Sequence, residues 1–205
     1  MTATDQSPNK REARRSMKFL SIAGVIVVLV VVSVGTATLQ YKLKGVRAFR
    51  DPSSSMCPTI CENERFLAAM NAYSVNPPAR GDVILFAHHL GDTSTLLVKR
   101  VVGIEGDVVS APSGTIFVNG KPSPDAQAKP PCGSPVLGPR PSEELPHFDA
   151  VKVQPGSLFV VGDNLTNSFD SRYPQFGQVS IADVRGRPFY IYWSAESSRL
   201  ACAVR

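Results

Sequence analysis

Residues 19–39 carry no charged side chain, and their centre, Val25-Ile26-Val27-Val28-Leu29-Val30-Val31-Val32, is wholly aliphatic. At about 1.5 Å of rise per residue, a helix of this length crosses a hydrocarbon core of roughly 30 Å. A helix apolar on every face needs a surrounding core in water but none in a bilayer. The run therefore predicts a single N-terminal transmembrane helix over residues 19–39. A basic tail, 1–18, lies on one side of it and the body of the chain, 40–205, on the other. Lys10, Arg11, Arg14, Arg15 and Lys18 precede the run, and Lys42, Lys44, Arg47 and Arg50 follow it. Five cations against four do not orient the helix, but a tail with only Asp5 and Glu12 as acids favours a cytoplasmic N-terminus. A cleavable export signal ending near Gly35-Thr36-Ala37 is the alternative. The run exceeds the roughly 7–15 residues of such a signal's apolar region, so a retained anchor is expected. Either way, residues 40–205 are sent across a membrane.

Charge divides at the same place. Residues 1–50 hold nine Lys or Arg against two acids, or +7, and residues 51–205 hold thirteen against fifteen, or −2. The overall +5 thus belongs to the membrane-flanking end. A nucleic-acid-binding domain carries its positive charge on the folded body, so nucleic acid is not an expected partner.

Beyond the anchor, short apolar runs at 82–86, 96–102, 115–118, 157–161 and 189–193 are bounded by Gly, Pro and Asn. Their length and their β-branched or aromatic content predict strands, hence a mainly β domain. Turn signals at Ala111-Pro112-Ser113-Gly114 and Asn119-Gly120 predict a hairpin between residues 107–110 and 115–118. Residues 62–72 are the one stretch that could be helical. Residues 122–146 hold eight of the chain's seventeen prolines and read as an extended surface insertion.

Cys57, Cys61, Cys132 and Cys202 form no CxxC pair, and no histidine lies at ligand spacing from them. No metal or other cofactor is expected. Disulfides are allowed in an exported compartment, but their connectivity is open: Cys132 and Cys202 could pair, or either could be free. His88 and His89 are adjacent, so on a strand they point to opposite faces.

A nucleophile and its base must then come from elsewhere. Ser53-Ser54-Ser55-Met56-Cys57-Pro58-Thr59 opens the exported body, and alone such a cluster reads as a loop. Lys99 lies inside Leu96-Leu97-Val98-Lys99-Arg100-Val101-Val102, a run that predicts a buried strand. It could turn outward and snorkel. Turned inward, its amine would lose charge through desolvation and could accept a serine proton.

Together these blocks resemble the bacterial type I signal peptidases, membrane-bound serine proteases with a Ser/Lys dyad. Pro52-Ser53-Ser54-Ser55-Met56-Cys57-Pro58-Thr59 is similar to the family's P-S-x-S-M-x-P-T box, and Arg80-Gly81-Asp82-Val83-Ile84-Leu85-Phe86 to its R-G-D-I-V-V-F block. Residues 98–107, starting Val98-Lys99-Arg100-Val101-Val102-Gly103, resemble the block carrying the lysine. Val118-Asn119-Gly120-Lys121 resembles a hairpin end. Gly162-Asp163-Asn164-Leu165-Thr166-Asn167-Ser168-Phe169-Asp170-Ser171-Arg172 resembles G-D-N-R-D-N-S-x-D-S-R. Three departures stand out: Leu165-Thr166 where Arg-Asp is usual, Glu105 where proline is usual, and Cys57 beside the nucleophile box.

The resemblance implies roles. Ser55 would be the nucleophile, Lys99 the general base, and Ser168 the residue that orients the lysine amine. The Ser53 hydroxyl and the Ser55 N–H would form the oxyanion hole. Arg100, Asp163, Asn164, Asp170 and Arg172 would support the site, and Met56 would line a pocket for small side chains. The expected function is a membrane-bound endopeptidase that removes signal peptides from exported preproteins after Ala-x-Ala. The expected location is the bacterial cytoplasmic membrane, with the catalytic domain on its outer side, in contact with lipid and with preprotein signal peptides. The alternatives are a specialised relative that processes a conjugation or pilus precursor, and an inactive membrane-tethered binding module.

Overall fold

The computed structural model describes residues 24–36, 45–112, 114–126 and 147–204. The basic tail, both ends of the expected span and most of the Pro-rich segment lie outside the described residues. The chain divides into two units, residues 1–44 and 45–205. In the first, residues 24–36 form an α-helix with exposed Val, Ile and Leu side chains. No helix among the described residues is long and apolar enough to cross a membrane.

The second unit is mainly β, as expected. In chain order its strands are β1 (Val46–Arg50), β2 (Arg65–Ala69), β3 (Val83–Leu90), β4 (Thr93–Gly103), β5 (Val108–Ala111) and β6 (Phe117–Val118). They continue with β7 (Lys121–Pro122), β8 (Phe148–Lys152), β9 (Ser157–Val161), β10 (Val179–Ser180), β11 (Val184–Trp193) and β12 (Cys202–Ala203). One sheet runs β1-β2-β11-β3-β4-β9-β10 with β12 also on β11, and a second runs β7-β6-β5-β8. The expected hairpin is β5 with β6, pairing Val109 with Val118 and Ser110 with Phe117. Asn119 and Gly120, at φ 52° and 76°, turn β6 into β7, the left-handed pair that a tight hairpin turn requires.

The helical option for residues 62–72 is corrected: residues 65–69 form β2, between β1 and β11. Phe66 and Ala68 are buried while their neighbours are less so, a period of two set by packing on one face.

β3 and β4 pair along their length, from Val83 with Arg100 to Leu90 with Thr93. Val83 and Leu85 join Met56, Ile60, Phe66 and Ile191 in one core, while Ile84 and Phe86 join Val101, Leu158 and Val160 in another. Both faces of β3 are covered over its first half, which is why residues 83–86 are continuously apolar. A third core, with Val102, Val109, Ile116, Val118 and Phe159, joins the two sheets. At the end of β4, a Cβ on Gly103 would stand 2.7 Å from Val109 Cγ2.

The C-terminal segment reaches back to the loop between β1 and β2 through Arg199. Its guanidinium donates to Glu64 at 2.6 and 2.9 Å, and both side chains are nearly fully buried. Glu64 also accepts the Cys61 N–H at 2.8 Å. Burial opposes the charge on Glu64, yet these bonds outweigh it and hold the carboxyl below the usual carboxylate range. Replacing Arg199 with Met strands that charge and is expected to cost about 3–5 kcal/mol in urea unfolding. Because folding lowers this pKa, the unfolded chain binds the proton more readily. The stabilisation is therefore present at neutral pH and lost as pH falls through the folded value. Arg199→Met is expected to flatten that acid dependence.

Candidate active site

The loop between β1 and β2, residues 51–64, closes at its base through Asp51 N–H to Glu64 O (3.0 Å) and Asn63 N–H to Asp51 O (2.6 Å). Within it, Thr59 and Ile60 donate to Met56 O, and Cys57 is disulfide-bonded to Cys61. Met56 and Ile60 are fully buried and pin the loop into the first core. Ser53, Ser54 and Ser55 are left at the rim. No described cysteine is free; Cys202 is also in disulfide linkage.

Lys99 enters from β4 and turns inward, 4% exposed, with Nζ 2.6 Å from Ser55 Oγ. Its neighbour Arg100 faces the other way, as alternation along a strand requires. Arg100 is wholly buried, donates to Asp163 at 2.7 and 2.6 Å and to Gly81 O at 2.7 Å, and reaches Thr59. The Thr59 hydroxyl also donates to Asp163. Burial pushes the Lys99 amine below the ordinary lysine range. Asp170, Asp51 and Asp163 act against that shift, and Arg172 adds to it. An amine so placed can be neutral and accept a proton.

The segment after β9 holds the serine loop from the other side. Asn164 donates through its backbone to Ser55 O (2.9 Å) and through Nδ2 to Ser54 O (3.2 Å), and Asn167 Nδ2 donates to Ser54 Oγ (2.8 Å). Asp170 accepts the Gly162 N–H and two bonds from the Arg172 guanidinium at 2.7 and 2.8 Å. Arg172 also caps Leu165 O and Ser168 O. Leu165 packs against the third core. Ser168 Oγ is buried but has no hydrogen-bond partner among the described residues, so the expected bond to the Lys99 amine is not made here.

Two clefts meet at Ser53, Ser55 and Lys99. One, of about 130 Å³, is walled by Phe49, Phe66, Leu85, Leu96, Leu97 and Val98. The other, of about 440 Å³, adds Ser54, Glu62, Asn167 and Phe169. Met56 lines neither cleft; it sits in the core beneath the loop because its side chain points away from the rim. No described group accepts from the Ser55 N–H. Ser53 Oγ lies 3.2 Å from Ser55 Oγ and donates to Asp51 Oδ1 at 2.8 Å. Asp51 was not among the expected site residues, although an acid directly before Pro52 was visible in the sequence.

Gly162, which opens the last motif block, is closely packed. A Cβ there would overlap Ser168 Oγ and stand 2.5 Å from Ser55 O. Gly162→Ala is expected to cost about 1–3 kcal/mol or more, read as a fall in thermal midpoint. Adding Ser168→Ala is expected to give little rescue, because the Ser55 carbonyl remains in the way.

The sequence pattern of the family described as "Signal peptidase, peptidase S26" matches residues 17–193. A relative named "Probable signal peptidase I-2", from Synechocystis sp., is 28% identical over 192 residues, covering 92% of this chain and 79% of that one. "Signal peptidase I V" of Bacillus subtilis is 31% identical over 174 residues, covering 82% and 95%. A crystal structure of a signal peptidase I from Enterococcus faecalis overlaps 55% of this chain and 97% of its own, with 27% identity and a TM-score of 0.42. With the family pattern matched over residues 17–193, the chain belongs to the peptidase S26 family, and it is a serine peptidase of the signal peptidase I type.

Proposed function

We propose that this peptidase cleaves signal peptides after Ala-x-Ala with Ser55 as nucleophile and Lys99 as general base. The observation that carries this reading is the buried Lys99 amine, 2.6 Å from Ser55 Oγ. Neutral Lys99 takes the Ser55 proton as Oγ attacks the scissile carbonyl, then returns it to the departing amine. The Ser55 N–H and the Ser53 hydroxyl face the negative charge that develops on the carbonyl oxygen, and donors so placed supply several kcal/mol. Water then releases the acyl group from Ser55, with Lys99 again as base. The small apolar cleft beside Ser55 supports a preference for small side chains. Residues 19–39 anchor the enzyme in the cytoplasmic membrane, with the tail 1–18 inside and residues 40–205 outside, so that lipid and signal-peptide substrates share one surface. Confinement there raises their effective concentration.

The test compares the full chain in detergent with Ser55→Ala and Lys99→Ala on a preprotein bearing an Ala-x-Ala site. Loss of cleavage of at least about a thousandfold is expected for each. Retained cleavage in either variant would sink the dyad, and an inactive wild type would favour a binding role. In wild type, kcat is expected to rise toward alkaline pH as Lys99 loses its proton. Because burial lowers that pKa, the limb falls below the range of an exposed lysine; a limb in the ordinary lysine range would contradict it.

A further inference from the structure

One hydrogen-bonded carboxylate beside the dyad has no part in the mechanism above. Ser53 has a single hydroxyl proton and gives it to Asp51 Oδ1. In the 3.2 Å contact between the Ser53 and Ser55 hydroxyls, the donor is then Ser55. Lys99 in turn donates to Ser55 Oγ. The three bonds run one way, from amine to Ser55 to Ser53 to carboxylate. So directed, the Ser55 proton points away from its base, and the Ser53 proton is withheld from an oxyanion. Catalysis needs both turned round.

We propose that Asp51 is the internal acceptor of the proton that Lys99 must shed, reached through the Ser55 and Ser53 hydroxyls. The proposal rests on the Ser55–Lys99 reading. An Nζ–H bond breaks as a new Ser55 O–H forms. The former Ser55 proton forms a new Ser53 O–H, and the former Ser53 proton forms an O–H on Asp51. One proton leaves the ammonium and one reaches the carboxylate, with no other reactant. Ser55 then donates to a neutral amine. Asp51 donates to Ser53 Oγ, and the new Ser53 proton, received from Ser55, is no longer held by the carboxylate, which leaves that hydroxyl able to turn to an oxyanion. Asp51 keeps its proton through acylation and deacylation, since Lys99 passes the Ser55 proton to the leaving amine. Asp51 is thus a positioning residue, acting on the reaction through two hydroxyls.

Burial favours this exchange. Asp51 is 7% exposed and Lys99 4%, and the transfer removes two buried charges together. Burial pushes the Asp51 carboxyl up, opposed by bonds from Ser53 and by Lys99 and aided by Glu62, while it pushes Lys99 down. The other charges acting on Lys99 are Asp170 and Asp163, which favour its charged form, and Arg172, which does not. The Ser53 backbone N–H also donates to Asp51 Oδ1, at 2.9 Å, and holds the carboxyl in place before and after transfer.

The experiment measures kcat against pH for the full chain in detergent, in wild type, Asp51→Asn, Ser53→Ala and Ser55→Ala. Asparagine keeps the shape and an acceptor for the Ser53 N–H but cannot take the proton. Internal transfer does not depend on pH, so wild-type activity is expected to level off below its alkaline limb. Asp51→Asn is expected to fall about tenfold per pH unit across that range and to approach wild type only in alkali. Ser53→Ala, which breaks the chain of hydroxyls but keeps the Asp51 carboxyl and its bond from the Ser53 N–H, is expected to lose the level region too, whatever its absolute rate. Equal or greater neutral activity in Asp51→Asn would overturn the proposal, because Asp51 would then act only by its charge on Lys99. A level region kept in Ser53→Ala would also overturn it. Cleavage by Ser55→Ala would instead overturn the dyad itself. An inactive Ser55→Ala with Asp51→Asn matching wild type would leave the dyad standing and remove the relay alone.

Discussion

The site is organised around taking one lysine amine out of water and setting it against a serine hydroxyl. Lys99 is carried by β4, a strand paired on both sides, so its position is fixed by backbone ladders to β3 and β9. Desolvation weakens the charge on the amine, and the dyad reading needs that weakening. Everything nearby either holds the serine loop against this strand or sets the charge balance around Nζ.

Two buried ion pairs do much of the holding. Arg100–Asp163 joins β4 to the segment after β9 and captures Thr59 of the serine loop. Arg172–Asp170 folds that same segment so that Asn164 and Asn167 reach Ser54 and Ser55. Buried pairs give little net stability because desolvation offsets their attraction. Their use here is geometric: each bidentate carboxylate admits one arrangement of the chains that it joins. The chain carries Leu165-Thr166 where an Arg-Asp pair is usual in the resembled block. Leu165 still has a role, since its carbonyl caps Arg172 and its side chain packs on the third core.

Much of the fold was legible because strand composition is local. The stretches at 158–161 and 83–86 are apolar on both faces, and they fall in β9 and the first half of β3. Residues 62–72 misled because β2 is short, and its alternation is visible only in Phe66 and Ala68. In the site, Ser55 and Lys99 could be named from their motifs, although 44 positions separate them. Arg199, which meets Glu64 across 135 positions, lies in no motif, and nothing local marks it as a partner. The family resemblance implies that Met56 lines a pocket. The turn beneath the loop aims it into the core instead.

By itself, the sequence determined the apolar run at 19–39, the charge split on either side of it, the mainly β character of the body and the order of motifs that marks the family. These depend on residue type and spacing, which a linear chain displays in full. Tertiary structure alone decided that Lys99 turns inward and that Gly162 leaves no room for a methyl group. It alone decided that the Ser53 hydroxyl donates a hydrogen bond to Asp51. A strand's alternation offers two faces, but which face is dry depends on what packs over it. The direction of a hydroxyl proton likewise depends on the strongest acceptor that folding brings within reach.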